Sequence, residues 1–190
     1  MEAALATREV IELAGAEGFC KTSGVTGLHI YIPMGAKYTT EQVQQFAQLI
    51  NLLVHERLPE TTSLERLPGK RSGRVYLDYL QNRRGATMAA PYCLRPRKGA
   101  PVSAPLHWEE VNEDLDPANF HIKNMVKRIE KEGDIWQGVL QAGVDIESCL
   151  ERLSSAKITP FVKEASGGFY TAEQNPPSPP LRKEGATDNN

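Results

Sequence analysis

The 190 residues are enough for one domain with its own core plus a tail, and 40% apolar with 24% charged residues at a net charge of −2 is ordinary for a globular chain. No run approaches the ~20 apolar residues of a membrane helix, and the opening MEAALATREVIELAG lacks the apolar stretch of a signal peptide. Three cysteines (Cys20, Cys93, Cys149), odd in number and without a C-x-x-C pair, argue against a disulfide framework and a zinc site, so a reducing cytoplasm is the simplest reading.

In chain order, residues 2–15 read as a helix, with Leu5, Val10, Ile11 and Leu13 on one face and Gly15 as a stop. GFCKTSGVTGLHIYIP then reads as strand, glycine-rich turn, strand, the second strand running from Leu28 to Ile32. Residues 39–56 begin Thr-Thr-Glu-Gln and continue with Val43, Phe46, Leu49, Ile50 and Leu53, which predicts a capped amphipathic helix. A basic loop leads into RVYLDYL, a short strand carrying Asp78. A turn follows at 81–85, and ATMAAPYCL is expected to be extended. From Pro96 the chain looks irregular and proline-rich, through GAPVSAPLHWEEV. A helical region is expected between Asn124 and Leu153, broken near Gly133, Gly138 and Gly143. The expected domain covers 1–159. Residues 160–190, ending QNPPSPPLRKEGATDNN, are expected to form a flexible tail.

Charge is unevenly spread. Arg66, Lys70, Arg71, Arg74, Arg83, Arg84, Arg95, Arg97 and Lys98 share their stretch with one acid, Asp78, giving +8 there and −10 over the remainder. Such a concentration repels itself unless something negative binds it; the plain alternative is a solvated basic face. The arginines of NRRGAT and LRPRKGAP suit phosphates, without choosing among DNA, RNA and nucleotide.

Two further features bear on chemistry. The turn KTSGVTGLH offers small residues, hydroxyls, a lysine and His29, which shares a strand face with Tyr31. That suits phosphate oxygens, although the P-loop pattern is absent and a self-satisfied hairpin reads equally well. Asp78, in an apolar stretch with positive charge on both sides, suits either a divalent metal or a salt bridge to Arg71 or Arg74; one carboxylate alone does not make a two-metal site. Asp114 and Asp116 sit at strand spacing but precede Pro117 and read as a turn or helix start. His55, His107 and His121 lack metal-ligand spacing, and Trp108 and Trp136 read as core anchors.

Three runs, FCKTSGVTGLHIYIP, KRSGRVYLDYLQNRRGATMAAPY and LRPRKGAPVSAPLHWEEV, resemble in the same order the polymerase domain of bacterial ATP-dependent DNA ligase D, of the archaeo-eukaryotic primase superfamily. The resemblance spans roughly residues 5 to 140. It implies an α/β (α+β) fold with a small, mostly antiparallel sheet and flanking helices, a partial archaeo-eukaryotic primase core. It implies that Ser23 and His29 hold the triphosphate of an incoming nucleotide, flanked by Lys21 and Thr22. It places a metal carboxylate on Asp78, a phosphate-contacting arginine on Arg71, and polar positions near nucleotide and metal on Gln81 and Arg95. Thr26 stands where many members carry a lysine.

The family's paired metal-binding aspartates precede the KTSG motif, whereas here the first aspartate of the sequence is Asp78. The resemblance therefore reads as the C-terminal part of such a domain, from a split gene, a decayed or mis-started gene, or a truncated chain. In the intact family the function is two-metal nucleotidyl transfer with Mn2+ or Mg2+ in DNA end joining. This chain is expected to bind nucleoside triphosphate and DNA ends, in the bacterial cytoplasm near the nucleoid, and not to polymerise without a second chain. A non-catalytic nucleic-acid-binding module using the basic surface is the alternative. An exposed sheet edge and self-association are expected of a partial core.

Overall fold

Helix α1 spans Glu2–Leu13 in the computed structural model, which describes residues 1–141 and 143–156. Its alanines, leucine and glutamates are good helix formers. The buried face is Ala4, Thr7, Val10 and Ile11 rather than the face that includes Leu13, which is exposed. Gly15 ends the helix at φ +72°, the left-handed conformation glycine adopts without strain. Helix α2, Thr40–Arg57, starts at Thr39 in a complete capping box. The Gln42 N–H donates to Thr39 Oγ1 at 3.2 Å, and the Thr39 N–H donates to Gln42 Oε1 at 2.9 Å. Phe46, Leu49, Ile50, Leu53 and Val54 form its buried stripe.

Strands β1 (Phe19–Thr22) and β2 (Leu28–Tyr31) pair antiparallel, with Lys21 opposite His29 and Cys20 opposite Ile30. A third strand, β5 (Pro105–Leu106), pairs with the other edge of β1, giving the order β2-β1-β5. The irregular, proline-rich reading of 96–111 missed this strand, because Pro101 and Pro105 mask the alternation of Val102, Ala104 and Leu106 against Ser103 and Pro105. Two short strands, β3 (Thr62–Ser63) and β4 (Val75–Tyr76), form a separate parallel pair. The strand expected to carry Asp78 thus ends at Tyr76.

Period-two alternation divides the β1–β2 hairpin into two faces. Cys20, Leu28 and Ile30 pack with Ala4 and Leu5 of α1 and with Leu106 and Trp108. Phe19, Lys21, His29 and Tyr31 point the other way, and the Trp136 ring packs edge-on to both Phe19 and Tyr31. The main core joins α1 and α2 with Ile30, Ile32 and Leu77. Into it also packs α4 (Ile146–Ser155), through Ile146, Cys149, Leu150 and Leu153. Between Tyr76 and α4 lie β5 and α3 (Ile122–Glu132), which stops at Gly133. The breaks expected near glycines 133, 138 and 143 thus separate α3, a 3-10 turn at Gln137–Leu140 and α4. Arg128 of α3 donates two hydrogen bonds to Glu110, tying α3 to the turn after β5.

The fold is therefore the mixed one expected: among the described residues, four helices and a small antiparallel sheet, with a parallel pair added. No described helix is long and apolar enough to cross a membrane. The three cysteines are free, with Cys20 and Cys149 buried. The expected boundary near 159 and the proline-rich tail lie outside the described residues.

Candidate functional site

The second face of the β1–β2 hairpin carries an unusual group. Lys21 is 0% exposed, and among the described residues its ammonium forms no ion pair with a carboxylate. Its three N–H bonds meet three acceptors: His29 Nδ1 at 3.0 Å, the Ala89 carbonyl at 2.8 Å and Ser103 Oγ at 2.7 Å. The ammonium also lies 5.6 Å from the centre of the Tyr31 ring. Ser103 Oγ donates its own proton to the Thr22 carbonyl at 2.7 Å, and Thr22 Oγ1 is held by the Val102 carbonyl and the Ala104 N–H. The 102–104 segment therefore clamps β1 from the side opposite β2. Lys21, expected to flank a bound phosphate, has every N–H occupied by protein and lies behind the surface.

His29 is half-buried, and it shares its surroundings with Lys21, Arg95 and Asp78. Burial, then the charges of Lys21 and Arg95, push its pKa down to about 4, against a smaller upward pull from Asp78. Lys21 is pushed down to about 8 by burial, with Cys93 and Cys20 pulling upward and Arg95 downward. Arg95 thus disfavours the charge of Lys21, and both disfavour that of His29. Arg95 adds a second sign of unmet demand: its Nε is buried with no hydrogen-bond partner. Its aliphatic stem lies against Gly24, where an added Cβ would come within 2.4 Å of Arg95 Cγ and 3.1 Å of the Ser103 nitrogen. Gly24 also sits at φ +72°, so glycine is required there twice over.

Ser23 organises the turn between β1 and β2. Its Oγ accepts from the N–H groups of Val25 (3.2 Å) and Gly27 (3.1 Å), so those two amides are spent within the turn. The self-satisfied hairpin reading holds for these acceptor bonds, while the Ser23 hydroxyl proton has no protein acceptor among the described residues. Thr26 is exposed at the tip.

Asp78 lies exposed on the irregular segment after β4, not in a strand. Its Oδ1 accepts from the Leu80 N–H at 2.9 Å, and its charge helps to raise the pKa of nearby Tyr76, after burial. No salt bridge to Arg71 or Arg74 forms. Arg71 bonds the carbonyls of Glu65 and Arg66 and stacks over Tyr76 at 4.0 Å, and Arg74 bonds the carbonyls of Arg71 and Pro59. Arg71 and Asp78 therefore meet around Tyr76. Gln81 is exposed on the following turn, with no hydrogen bond from its side chain among the described residues.

Among the described residues no group of three His, Cys, Asp or Glu side chains is placed to hold a metal ion. Asp78 is the carboxylate whose charge reaches His29. Asp116 caps a 3-10 turn by accepting from the Ala118 N–H, in keeping with the turn reading. None of the nine basic residues between Arg66 and Lys98 forms an ion pair among the described residues.

Sequence reasoning missed Ser103 and Ala89. Both reach Lys21 from 82 and 68 positions away along the chain, and only the alternation in PVSAPL hinted that Ser103 lies beside the motif.

The sequence model of the primase-polymerase domain of LigD matches residues 1–136. Over 134 residues the chain is 37% identical to the bifunctional non-homologous end joining protein LigD of Bacillus subtilis, covering 70% of this chain and 22% of that protein. Over 131 residues it is 31% identical to the multifunctional non-homologous end joining protein LigD of Pseudomonas aeruginosa, covering 69% of this chain and 16% of that one. The chain thus spans about a fifth of the length of these relatives. Among solved structures it resembles the polymerase domain of Mycobacterium tuberculosis ligase D in complex with DNA, with a TM-score of 0.69 and 27% identity over 75% of this chain and 50% of that one.

Proposed function

Since the chain belongs to the LigD primase-polymerase domain family, we propose that it serves non-homologous end joining as the part of such a domain that holds the triphosphate of an incoming nucleotide beside a DNA end. The observation that carries this reading is the cluster of Lys21, His29 and Arg95: two cations whose charges both lower the pKa of the histidine, one of them with a buried, unpartnered N–H, and none in an ion pair among the described residues. A polyanion relieves that arrangement, and a neutral ligand does not. His29 and the Arg95 guanidinium supply donors from two sides, and the Ser23 hydroxyl a third from the turn. Arg71 and Gln81, at the Asp78 end, are proposed to meet the nucleotide from the other side.

In this family reading a divalent ion, Mg2+ or Mn2+, supplies charge neutralisation at the phosphates. Asp78 is the residue proposed to contribute an oxygen ligand, and the remaining ligands come from outside the described residues. Nucleotide addition is accordingly proposed to need a second chain or segment bearing further carboxylates. The rows of unpaired arginines from 66 to 98 are proposed to lie along DNA phosphates.

Isothermal titration with a nucleoside triphosphate and Mn2+ tests the reading. His29→Ala and Arg95→Ala are expected to weaken binding about tenfold each, close to 1.4 kcal/mol, and Asp78→Ala to remove only the part of the affinity that Mn2+ adds. A wild-type chain that ignores the triphosphate would sink the proposal. The unpaired cations also favour a second reading, a plain nucleic-acid-binding module. It predicts DNA binding with a steep salt dependence, about 0.9 per phosphate neutralised on logarithmic axes, and indifference to triphosphate and metal.

A further inference from the structure

A neutral imidazole carries one N–H, and which ring nitrogen holds it decides whether His29 offers its outer edge as a donor or an acceptor. The surroundings of Lys21 settle which way its own protons point. The Ala89 carbonyl can only accept, at 2.8 Å. Ser103 Oγ has already given its single proton to Thr22, so toward Lys21 it too can only accept. The third N–H of the ammonium is left for His29 Nδ1, 3.0 Å away and directly opposite across the antiparallel pair. Nδ1 must then be the bare nitrogen. The ring proton resides on Nε2, for which there is no protein partner among the described residues.

We propose that Lys21 is a positioning residue whose buried ammonium fixes His29 in the Nε2–H tautomer, so that the histidine meets a phosphate oxygen as a neutral donor. The phosphate half of this inference rests on the triphosphate reading above; the tautomer half rests on the hydrogen-bond geometry alone. In this arrangement Lys21 acts on an anion without touching it, and the serine and carbonyl that hold it belong to the site as much as the histidine does. The low pKa of His29, about 4, fits a ring that stays neutral beside the ammonium at pH 7. The charged and titratable groups around the pair are Arg95, Cys93, Cys20 and Asp78. None of them is hydrogen-bonded to Lys21 Nζ or to the imidazole.

The test is long-range 1H–15N correlation on the full chain with 15N-labelled histidine at pH 7, the His29 signals assigned by their loss in His29→Gln. The expected result is a protonated Nε2 and an unprotonated Nδ1 in the wild type. In Lys21→Met the two nitrogens should move toward an averaged position, because neither tautomer is then enforced. Wild-type His29 with its proton on Nδ1 overturns the inference, as does a Lys21→Met chain that keeps the fixed Nε2–H pattern. Should Lys21→Met fail to fold, the wild-type spectrum still decides the tautomer.

Inorganic tripolyphosphate is then titrated into the same samples. The wild-type Nε2–H proton should shift on binding, and Lys21→Met should bind about tenfold more weakly. A wild type that binds tripolyphosphate while carrying Nδ1–H defeats the inference alone. One with the Nε2–H tautomer that ignores tripolyphosphate defeats the triphosphate reading, and the functional half of the inference with it.

Discussion

Replacing Lys21 by methionine keeps the length of the side chain and removes its charge, and the consequence for stability has a calculable pH dependence. In the folded chain the ammonium is pushed from 10.5 down to about 8. Between those values the unfolded chain binds more protons than the folded one, so stability rises with pH across that window. At about 1.4 kcal/mol per pH unit, the full displacement corresponds to roughly 3 kcal/mol that the wild type lacks below pH 8 and regains by about pH 10.5. Lys21→Met has no such group. It also leaves the Ala89 carbonyl, Ser103 Oγ and His29 Nδ1 each short of a donor, at about 1–3 kcal/mol apiece if they stay dry. That loss opposes the relief of the buried charge, so the difference between the two chains at one pH decides little. The slope of the difference does. Urea unfolding of both chains from pH 7 to pH 10 should show the wild type gaining about 2–3 kcal/mol on the variant. Tyrosines common to both chains cancel in the comparison. Cys20, pushed up to about 12 by burial, does not ionise in either fold within this range. Parallel stability curves would mean that Lys21 is not a dry ammonium, and the account of the site would fall with it.

Gly24→Ala should cost about 1–2 kcal/mol from the positive φ alone. It should also push the Arg95 stem aside, so that triphosphate affinity falls while a circular dichroism spectrum stays that of the wild type. Binding of a triphosphate at pH 8 should take up protons, since an anion raises the pKa of Lys21, poised near that value. Titration calorimetry in buffers of different ionisation enthalpy reads the uptake directly, and proton release would contradict the site. Leu153→Ala, at a fully buried position of α4, should cost about 2–5 kcal/mol in chemical denaturation. A cost below 1 kcal/mol would mean that α4 does not belong to the core.

Local signals carried much of this fold. The Thr39–Gln42 box and the stripe from Phe46 to Leu53 were enough for α2, because capping and periodicity act over a few residues. The glycine-rich turn between two β-rich stretches likewise placed β1 and β2, with His29 and Tyr31 on one face. What was hidden depended on distant pairing. β5 is two residues long, one of them a proline, and exists because the 102–106 segment lies along β1. Leu13 looked like part of the α1 core face, yet the tertiary contacts fall on the smaller Ala4 and Thr7. The resemblance puts Lys21 beside a bound phosphate, but its burial requires Ser103 and Ala89, which no local pattern brings to it. The salt bridge weighed for Asp78 was displaced by backbone carbonyls that took up Arg71 and Arg74 first.

One division within the site has a consequence for how tightly anything binds there. Lys21, Ser23 and His29 sit on a hairpin braced by the 102–104 segment and by Trp136, whereas Asp78, Gln81, Ala89 and Arg95 belong to a stretch from 77 to 101 that holds no helix or strand of its own. The hairpin has little freedom left to lose when a ligand arrives. Residues 92–95 are tied back to 101–103 by backbone bonds, whereas the turn from 81 to 88 is mostly exposed, so the ordering entropy of binding falls largely on that turn. Affinity can then be tuned at positions that never meet the ligand, for instance by a proline or a shortened turn between Asn82 and Met88 that settles the stretch in advance. The same changes would leave the donors on the hairpin, and hence the preference for phosphate, as they are.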